Sequence, residues 1–411
     1  MTWLVDLLRS GSVAGSVLIL GLVASLGLVL GAVHVRGVRL GVAGVLFSGL
    51  LFGHFGASIA PPALEFARDF GLILFVYAIG IEVGPGFAAS VRRHGLPLNL
   101  LAAGTVALGA ALAVLISRAA GIDIPVAVGM FSGATTNTPS LGAAQAALSE
   151  MPGHTDSMGQ LPGLGYAVSY PFGLLGVILS VAVTRGFFRN RPDPRLAAVV
   201  SERAGQSQAD QQSSSRSEAE AAGTERPESL QVLPVFIGIV FGVLLGSIPV
   251  HMAGLPAPLK LGMAGGPLVA AIILGAIGRI GPLNWQMPPE VDAAFREIGI
   301  ALFLSCVGVR SGGRFVETLL HGGGLYWMAW ATLITLIPVA VAALLAGVVL
   351  RLNYPAVCGL LTGSMTNPAG LAFAHSLTHS EETTAAYATV YPLTMLLRVI
   401  AAQLIVLVFM R

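Results

Sequence analysis

The sequence FSGATTNTPSLG at residues 131–142 and the sequence LTGSMTNPAGL at residues 361–371 each interrupt an apolar segment. Proline removes a backbone donor and disfavours helix in the residue before it. Asn, Thr and Ser are favoured N-caps, and proline suits the first helical turn. Each stretch is therefore predicted to end one half-helix and to begin another.

The composition around these interruptions is typical of a membrane protein. Of the 411 residues, 55% are hydrophobic and 10% are charged, whereas soluble domains are about 25% charged. A net charge of +2 gives no indication of nucleic-acid binding. Cys306 and Cys358 lie in apolar stretches and are predicted to be packed thiols. His375 and His379 have a metal-like spacing but no third ligand, so neither a metal nor a cofactor is expected.

Apolar windows of about 20 residues predict ten membrane crossings, five in each half of the chain. The first window is longer than the apolar region of a signal peptide and is expected to remain as a span. The stretches near 124–148 and 354–377 are predicted to be re-entrant hairpins rather than crossings. The ten windows lie near residues 12–33, 39–57, 70–90, 96–117 and 166–187, and near residues 232–250, 261–280, 296–314, 325–350 and 387–410.

The two halves repeat one another. Residues 68–75 align with residues 296–303, which lie 228 positions further on. Gly133-Ala-Thr-Thr-Asn137 matches Gly363-Ser-Met-Thr-Asn367, and each half then has a Tyr-x-x-x-Tyr-Pro motif. Shared Gly and Leu content is the alternative explanation, but matched blocks in one order predict true repeats.

The repeats and the segment between them define three regions. Residues 1–187 are predicted to be the first membrane repeat and residues 231–411 the second. Residues 188–230 are polar and poor in apolar side chains, which predicts a disordered linker.

Loop arginines predict the orientation of the chain. Arg185 and Arg189 flank the linker, so the linker is placed in the cytoplasm. If the interrupted stretches do not cross, the arginine pairs 36/39 and 92/93 also lie inside, although Arg310 lies outside. Each half then has five crossings, the second half is inverted, and both termini lie on the outer side.

Inverted repeats with interrupted helices are typical of secondary transporters, whose binding site lies where the interruptions meet. Unwound backbone at membrane depth is tolerated only where protein buries it or where it lines a cavity. Its free amides and positive helix ends attract anions, whereas its carbonyls could hold a cation. Proline-kinked helices packed by small residues are the structural alternative. The predicted substrate-binding residues are Thr135, Thr136, Asn137, Thr138, Ser140, Ser364, Thr366, Asn367 and Gly370.

Other polar residues near the membrane are candidate gating residues or charge partners. Glu82 and Arg310 occupy equivalent repeat positions near helix ends, where snorkelling to the interface is the alternative. Arg398 lies deep in an apolar segment, so it should face a partner or a cavity. Tyr166, Tyr170 and Tyr391 are predicted to cap the cavity, with interfacial anchoring as the alternative.

The stretches FGLILFVYAIGIEVGPGF at residues 70–87 and GATTNTPSLGAA at residues 133–144 resemble the aspartate–alanine exchanger family of bacterial secondary transporters. The resemblance covers both membrane halves. It implies exchange of amino acids or dicarboxylates across the inner membrane. Many members have RCK-type regulatory domains between the halves, whereas this chain has only the polar linker. Members also vary at the position of Glu82, which bears on substrate selectivity.

The sequence therefore predicts an all-α polytopic membrane protein with two inverted repeats, each with five transmembrane helices and one broken hairpin. Its expected function is antiport of small anionic amino acids or dicarboxylates by alternating access, through an elevator-type movement. Transport coupled to sodium or protons through the same breaks is the alternative. No catalytic motif lies at membrane depth, so an enzyme is not expected. The expected partners are a small anionic substrate, the lipid bilayer and a second copy of the chain, without nucleic acid.

Overall fold

The computed structural model describes residues 12–35, 38–39, 41–92, 95–188, 229–251, 258, 260–281 and 283–410. The predicted linker 188–230 lies, except for its ends, outside the described residues. Within the described residues the chain forms fourteen helices and is 82% helical, which confirms an all-α polytopic fold.

The first half has seven of these helices. α1 is followed by a short antiparallel hairpin in which His34 pairs with Arg39. The elements are α1 (Val13–Ala32), β1 (His34–Val35), β2 (Val38–Arg39), α2 (Ala43–His54), α3 (Pro61–Arg92), α4 (Leu96–Ala120), α5 (Ile124–Ala134), α6 (Thr138–Ser149) and α7 (Asp156–Thr184).

The second half has the same order of helices. Its short hairpin pairs Arg279 with Asn284 and follows α9 instead. The elements are α8 (Ser229–Ser247), α9 (Gly262–Ile277), β3 (Arg279–Ile280), β4 (Leu283–Asn284), α10 (Pro289–Leu320), α11 (Gly324–Val348), α12 (Tyr354–Ser364), α13 (Pro368–Thr378) and α14 (Glu381–Phe409). Neither hairpin was predicted, because two-residue strands leave no readable period.

Helix lengths match between the halves. α3 and α10 both have 32 residues, α4 and α11 have 25, α5 and α12 have 11, and α7 and α14 have 29. α7 and α14 begin earlier than the predicted windows at 166 and 387. The hydroxyls of Thr155 and Ser380 accept the amides of Met158 and Glu382 there and start both helices in polar sequence.

Five of the described helices, α1, α4, α7, α11 and α14, are long and apolar enough to cross a membrane. Shorter apolar helices include α2, α5 and α9. Each of the ten predicted windows overlaps one helix, and each predicted hairpin overlaps two. The chain is therefore a multi-pass membrane protein.

The helices pack as two bundles. α1, α2 and α3 pack with α8, α9 and α10, and this group is called the scaffold bundle. α4 to α7 pack with α11 to α14, and this group, which contains both interrupted stretches, is called the hairpin bundle. The bundles meet where α9 contacts α6 and α14, where α10 contacts α7, and where α14 contacts α3.

The scaffold bundle is built on a close crossing of the two equivalent helices α3 and α10. A Cβ atom on Gly71 would lie 3.0 Å from the amide nitrogen of Phe303, and one on Gly299 would lie 2.5 Å from that of Phe75. Only glycine permits this approach. Gly71 contacts Phe303, which is four residues after Gly299, and Gly299 contacts Phe75, which is four residues after Gly71. Reciprocal contacts of this kind occur when two helices cross in antiparallel directions. This pattern supports the predicted inversion of the halves, which stays a prediction.

Candidate functional site

The first interrupted stretch is a break between α5 and α6. Thr136 has a φ of 52°, and Asn137 returns to extended backbone with φ −107° and ψ 95°. The Asn137 Oδ1 atom accepts the Ser140 amide at 2.9 Å, so Asn137 is the N-cap of α6. The predicted end and restart of the helix is confirmed.

The second interrupted stretch has the same geometry between α12 and α13. Thr366 has a φ of 49°, and Asn367 has φ −111° and ψ 92°. The Asn367 Oδ1 atom accepts the Gly370 amide at 2.8 Å. A left-handed conformation is rare for a β-branched residue, and such strain clusters at functional sites. Its occurrence at two equivalent positions marks both breaks as a candidate site.

The two breaks contact one another directly. The Thr136 hydroxyl donates to the carbonyl oxygen of Met365 at 2.8 Å, and the Thr366 hydroxyl donates to that of Thr135 at 3.0 Å. Asn137 Nδ2 donates to Thr366 Oγ1 at 3.2 Å. Each break therefore supplies a donor for a backbone acceptor that the other break leaves open.

A cavity of about 820 Å³ lies between the two bundles, beside the crossing of the breaks. Three of the predicted substrate-binding residues line it: Thr136, Thr138 and Thr366. Three of the residues predicted as charge partners or cavity caps, Glu82, Tyr170 and Tyr391, also line it. The rest of the lining includes Phe75, Ile79, Arg296, Glu297, Ile300, Pro368, Thr384, Tyr387 and Met395.

The other predicted site residues lie buried behind the lining. They are Thr135, Asn137, Ser140, Ser364, Asn367 and Gly370. Ser140 bridges the break through a 2.7 Å bond from its hydroxyl to that of Ser132. Asn367 Nδ2 has no hydrogen-bond partner among the described residues, whereas its counterpart on Asn137 does. These residues hold the breaks in shape, and the cavity is formed by their neighbours.

Arg398 and Tyr166 have partners in the protein and do not line this cavity. Arg398 is fully buried, donates to the carbonyl oxygen of Ser364 at 2.6 Å and stacks over Phe131 at 5.6 Å. Ser364 ends α12, so the guanidinium stabilises the negative end of that half-helix. Tyr166 shares a 2.9 Å hydrogen bond with Thr138. Both residues therefore support the breaks from behind.

The equivalent carbonyl in the first half is bound by a different side chain. Thr335 of α11 donates its hydroxyl to the carbonyl oxygen of Ala134, the last residue of α5, at 2.8 Å. A neutral hydroxyl therefore does in the first half what a buried cation does in the second. The two half-helix ends are equivalent in position but not in charge.

Glu82 is paired with Arg296 across the α3–α10 crossing, not with Arg310. Arg310 lies near the start of α7, where a Cβ atom on Gly159 would be 3.2 Å from its Nη2 atom. The side chains of Arg296 and Glu82 are 40% and 53% exposed, so the pair faces the open part of the cavity. Arg296 was not predicted as a site residue. The sequence repeat aligns Arg296 with Arg68, but this alignment does not indicate that Arg296 contacts Glu82.

The chain is similar to one family of predicted permeases and to transport proteins of other bacteria over most of its length. The family described as Asp-Al_Ex, Predicted Permease Membrane Region, matches residues 19–186 and 234–407. A transport-protein relative from Photobacterium profundum is 36% identical, with 96% of this chain and 99% of the relative aligned. Another from Klebsiella pneumoniae is 37% identical, with 97% and 99% aligned. These alignments extend over 545 and 548 positions, so both relatives contain insertions that this chain lacks.

Proposed function

The chain belongs to the aspartate–alanine exchanger family of predicted permeases, and on this premise we propose that it exchanges small anionic amino acids or dicarboxylates across a membrane. Its relatives named as transport proteins support the coarser assignment of a membrane transporter. The observation that carries the finer proposal is the contact between two strained, equivalent helix breaks beside a large cavity.

The chemistry of the breaks favours an anionic substrate. α6 and α13 both begin at the crossing, and the first amides of a helix lack intrahelical partners. Their dipoles place partial positive charge at the same point. Thr136, Thr138 and Thr366 add hydroxyl groups on the cavity side, and those of Thr136 and Thr366 donate to carbonyl oxygens of the opposite break in this structure. A carboxylate bound here would face the positive helix ends of both halves.

The division into bundles supports alternating access by relative movement. Both breaks belong to the hairpin bundle, whereas Phe75, Glu82, Arg296 and Ile300 belong to the scaffold bundle. The cavity is therefore an interface that opens or closes when one bundle moves against the other. An elevator-type displacement of the hairpin bundle would transfer a bound solute without unfolding either break.

A second candidate function is transport coupled to sodium or protons. The carbonyl oxygens of Thr135 and Met365 lie at the crossing and would be cation ligands. Each accepts a threonine hydroxyl in this structure, so a cation would have to displace that hydroxyl. A carboxylate would compete for the same two hydroxyl protons, so what favours the anion exchanger is the positive dipole ends of α6 and α13 at the crossing.

The proposed setting is the bacterial inner membrane, with residues 188–230 in the cytoplasm and both termini on the outer side. A homodimer is the proposed assembly. The support for this orientation is the distribution of arginine in the loops.

Counterflow in proteoliposomes tests the proposed exchange. Vesicles loaded with aspartate, alanine, glutamate or succinate are given labelled aspartate, and uptake is expected only with an internal counter-substrate. Asn137→Ala and Asn367→Ala should each lower uptake about tenfold while protein yield and monodispersity hold, because a lost cap costs about 1 kcal/mol and displaces the break. Asn284→Ala, at an exposed position away from both breaks, is the matched control. Uptake driven by a sodium or proton gradient alone would favour the second candidate.

A further inference from the structure

The charged residues of the cavity carry a second inference, which rests on the proposed transport of carboxylates. We propose that Arg296 is the carboxylate receptor of the cavity and that Glu82 occupies it while no substrate is bound. The pair lies on the scaffold side, opposite in charge to one another and open to the same space as the breaks.

Arg296 is the one cationic side chain that lines this cavity within the described part of the chain. Acidic groups surround it: Glu82 on α3, and Asp292 and Glu297 on its own helix α10. The carboxylates of Glu82 and Glu297 repel an anion on the scaffold side of the cavity, and Arg296 is the cation that offsets them there. Arg296 is therefore the point where a substrate carboxylate can be neutralised.

The guanidinium of Arg296 has donors to spare. Its Nη1 atom donates to Glu82 Oε2, which is the hydrogen bond it makes within the described residues. A guanidinium has five N–H groups in a planar fork that matches a carboxylate bidentately. A substrate carboxylate can therefore engage Arg296 fully once Glu82 swings away.

Two tyrosines of the hairpin bundle complete the receptor. Tyr387 and Tyr391 stack at 5.0 Å between ring centroids, line the cavity, and lie within electrostatic reach of both Glu82 and Arg296. Their hydroxyls make no hydrogen bond to the described residues. A bound carboxylate would thus contact a cation on the scaffold bundle and phenol donors on the hairpin bundle, and movement of the hairpin bundle would separate it from Arg296.

The exchange of partners at Arg296 costs little. Glu82 is half exposed, so its carboxylate regains water when it leaves, and no charge is left buried without a partner. Half-exposed ion pairs are worth only about a two- to fivefold factor in an equilibrium constant. Glu82 is therefore a weak competitor that keeps Arg296 paired and lowers substrate affinity by that factor.

Substitutions at the two positions should have opposite effects on affinity. Binding of L-aspartate and succinate is measured by titration calorimetry on purified protein, and KM is measured in the exchange assay. Glu82→Gln should tighten binding about two- to fivefold. Arg296→Gln should weaken it about ten- to hundredfold, because a charge-assisted bond is lost, and Arg296→Lys should recover part of the loss. Glu65→Gln on α3 and Arg279→Gln on β3 remove exposed charges outside the cavity lining and should leave affinity unchanged.

The outcomes separate this inference from the proposed function. Weaker binding in both Glu82→Gln and Arg296→Gln would mean that the ion pair is structural and would overturn the inference, even if counterflow succeeds. Suppose that the two substitutions shift binding affinity in opposite directions but that uptake needs no internal counter-substrate. This result would support Arg296 as the receptor and refute exchange. Folded wild-type protein that binds neither L-aspartate nor succinate would refute the receptor directly.

Discussion

Thr136 and Thr366 are the residues on which the site depends. Each has a positive φ that a β-branched residue adopts at a cost of about 1–3 kcal/mol. Each also donates its hydroxyl to a carbonyl of the other break. The strain and the hydrogen bonds are linked, because the left-handed backbone conformation of each threonine directs its hydroxyl towards the opposite break.

Substitution of Thr366 separates shape from hydrogen bonding. Thr366→Val keeps the branched shape but leaves the carbonyl oxygen of Thr135 without its donor, so we expect a loss of about 1–3 kcal/mol in stability and a fall in transport. Thr366→Ser keeps the hydroxyl and removes the branching, so stability and transport should stay near wild type. Thermal unfolding in detergent and counterflow measure both. Stability and transport of Thr366→Val at the wild-type level would show that the hydroxyl is dispensable.

At the scale of single elements, local chemistry explains why the breaks were predictable from sequence. Asn followed by Pro within two residues encodes an N-cap and a first helical turn without help from the rest of the fold. Both breaks accordingly lie where the sequence predicted, at Asn137 and Asn367. The lining of the cavity was not encoded in this way. Thr136, Thr138 and Thr366 face the cavity while their predicted companions are buried, and that distinction depends on how the two hairpins pack.

The partner of Glu82 shows the same limit of sequence reasoning. The repeat places Glu82 and Arg310 at equivalent positions of the two halves. Two residues at equivalent positions are expected to have similar surroundings, but they need not contact one another. In an antiparallel crossing only residues near the crossing meet their equivalents, as Gly71 and Gly299 do. Glu82 lies beyond the crossing and meets Arg296 instead.

The cap on α5 gives a prediction at the scale of one helix. Thr335→Val removes the donor for the carbonyl oxygen of Ala134 and should cost about 1–3 kcal/mol, since the acceptor stays buried. Thr332→Val on the same helix is the matched control, because that hydroxyl only returns to Met328 within α11. Chemical or thermal unfolding compares the two. A larger loss in Thr332→Val than in Thr335→Val would contradict the proposed cap.

At the scale of the whole molecule, the cavity exists because two bundles meet along it. The breaks and their supports, Arg398, Tyr166 and Thr335, all belong to one bundle. The Arg296–Glu82 pair belongs to the other. Transport by relative movement therefore needs no change inside either bundle, only sliding at their interface. The insertions of the relatives are absent from this chain, so such movement would proceed here without them.

Linking the bundles should stop transport. Glu150 at the end of α6 and Lys260 before α9 form a 3.0 Å ion pair between the bundles. Glu150→Cys combined with Lys260→Cys, joined by a short bis(methanethiosulfonate) reagent that forms a disulfide with each cysteine and releases methanesulfinate, should abolish counterflow, and reduction should restore it. Each single cysteine variant treated in the same way is the control. Full transport by the cross-linked double variant would show that this part of the interface does not slide.

The two helix breaks meet at the place where we propose that the solute binds. A structure of the protein determined in lipid with L-aspartate tests this most directly. We predict density for the ligand between Thr136, Thr366 and Arg296, with both breaks unwound as they are here. Ligand density outside this cavity, with residues 131–142 and 361–371 closed into continuous helices, would contradict it.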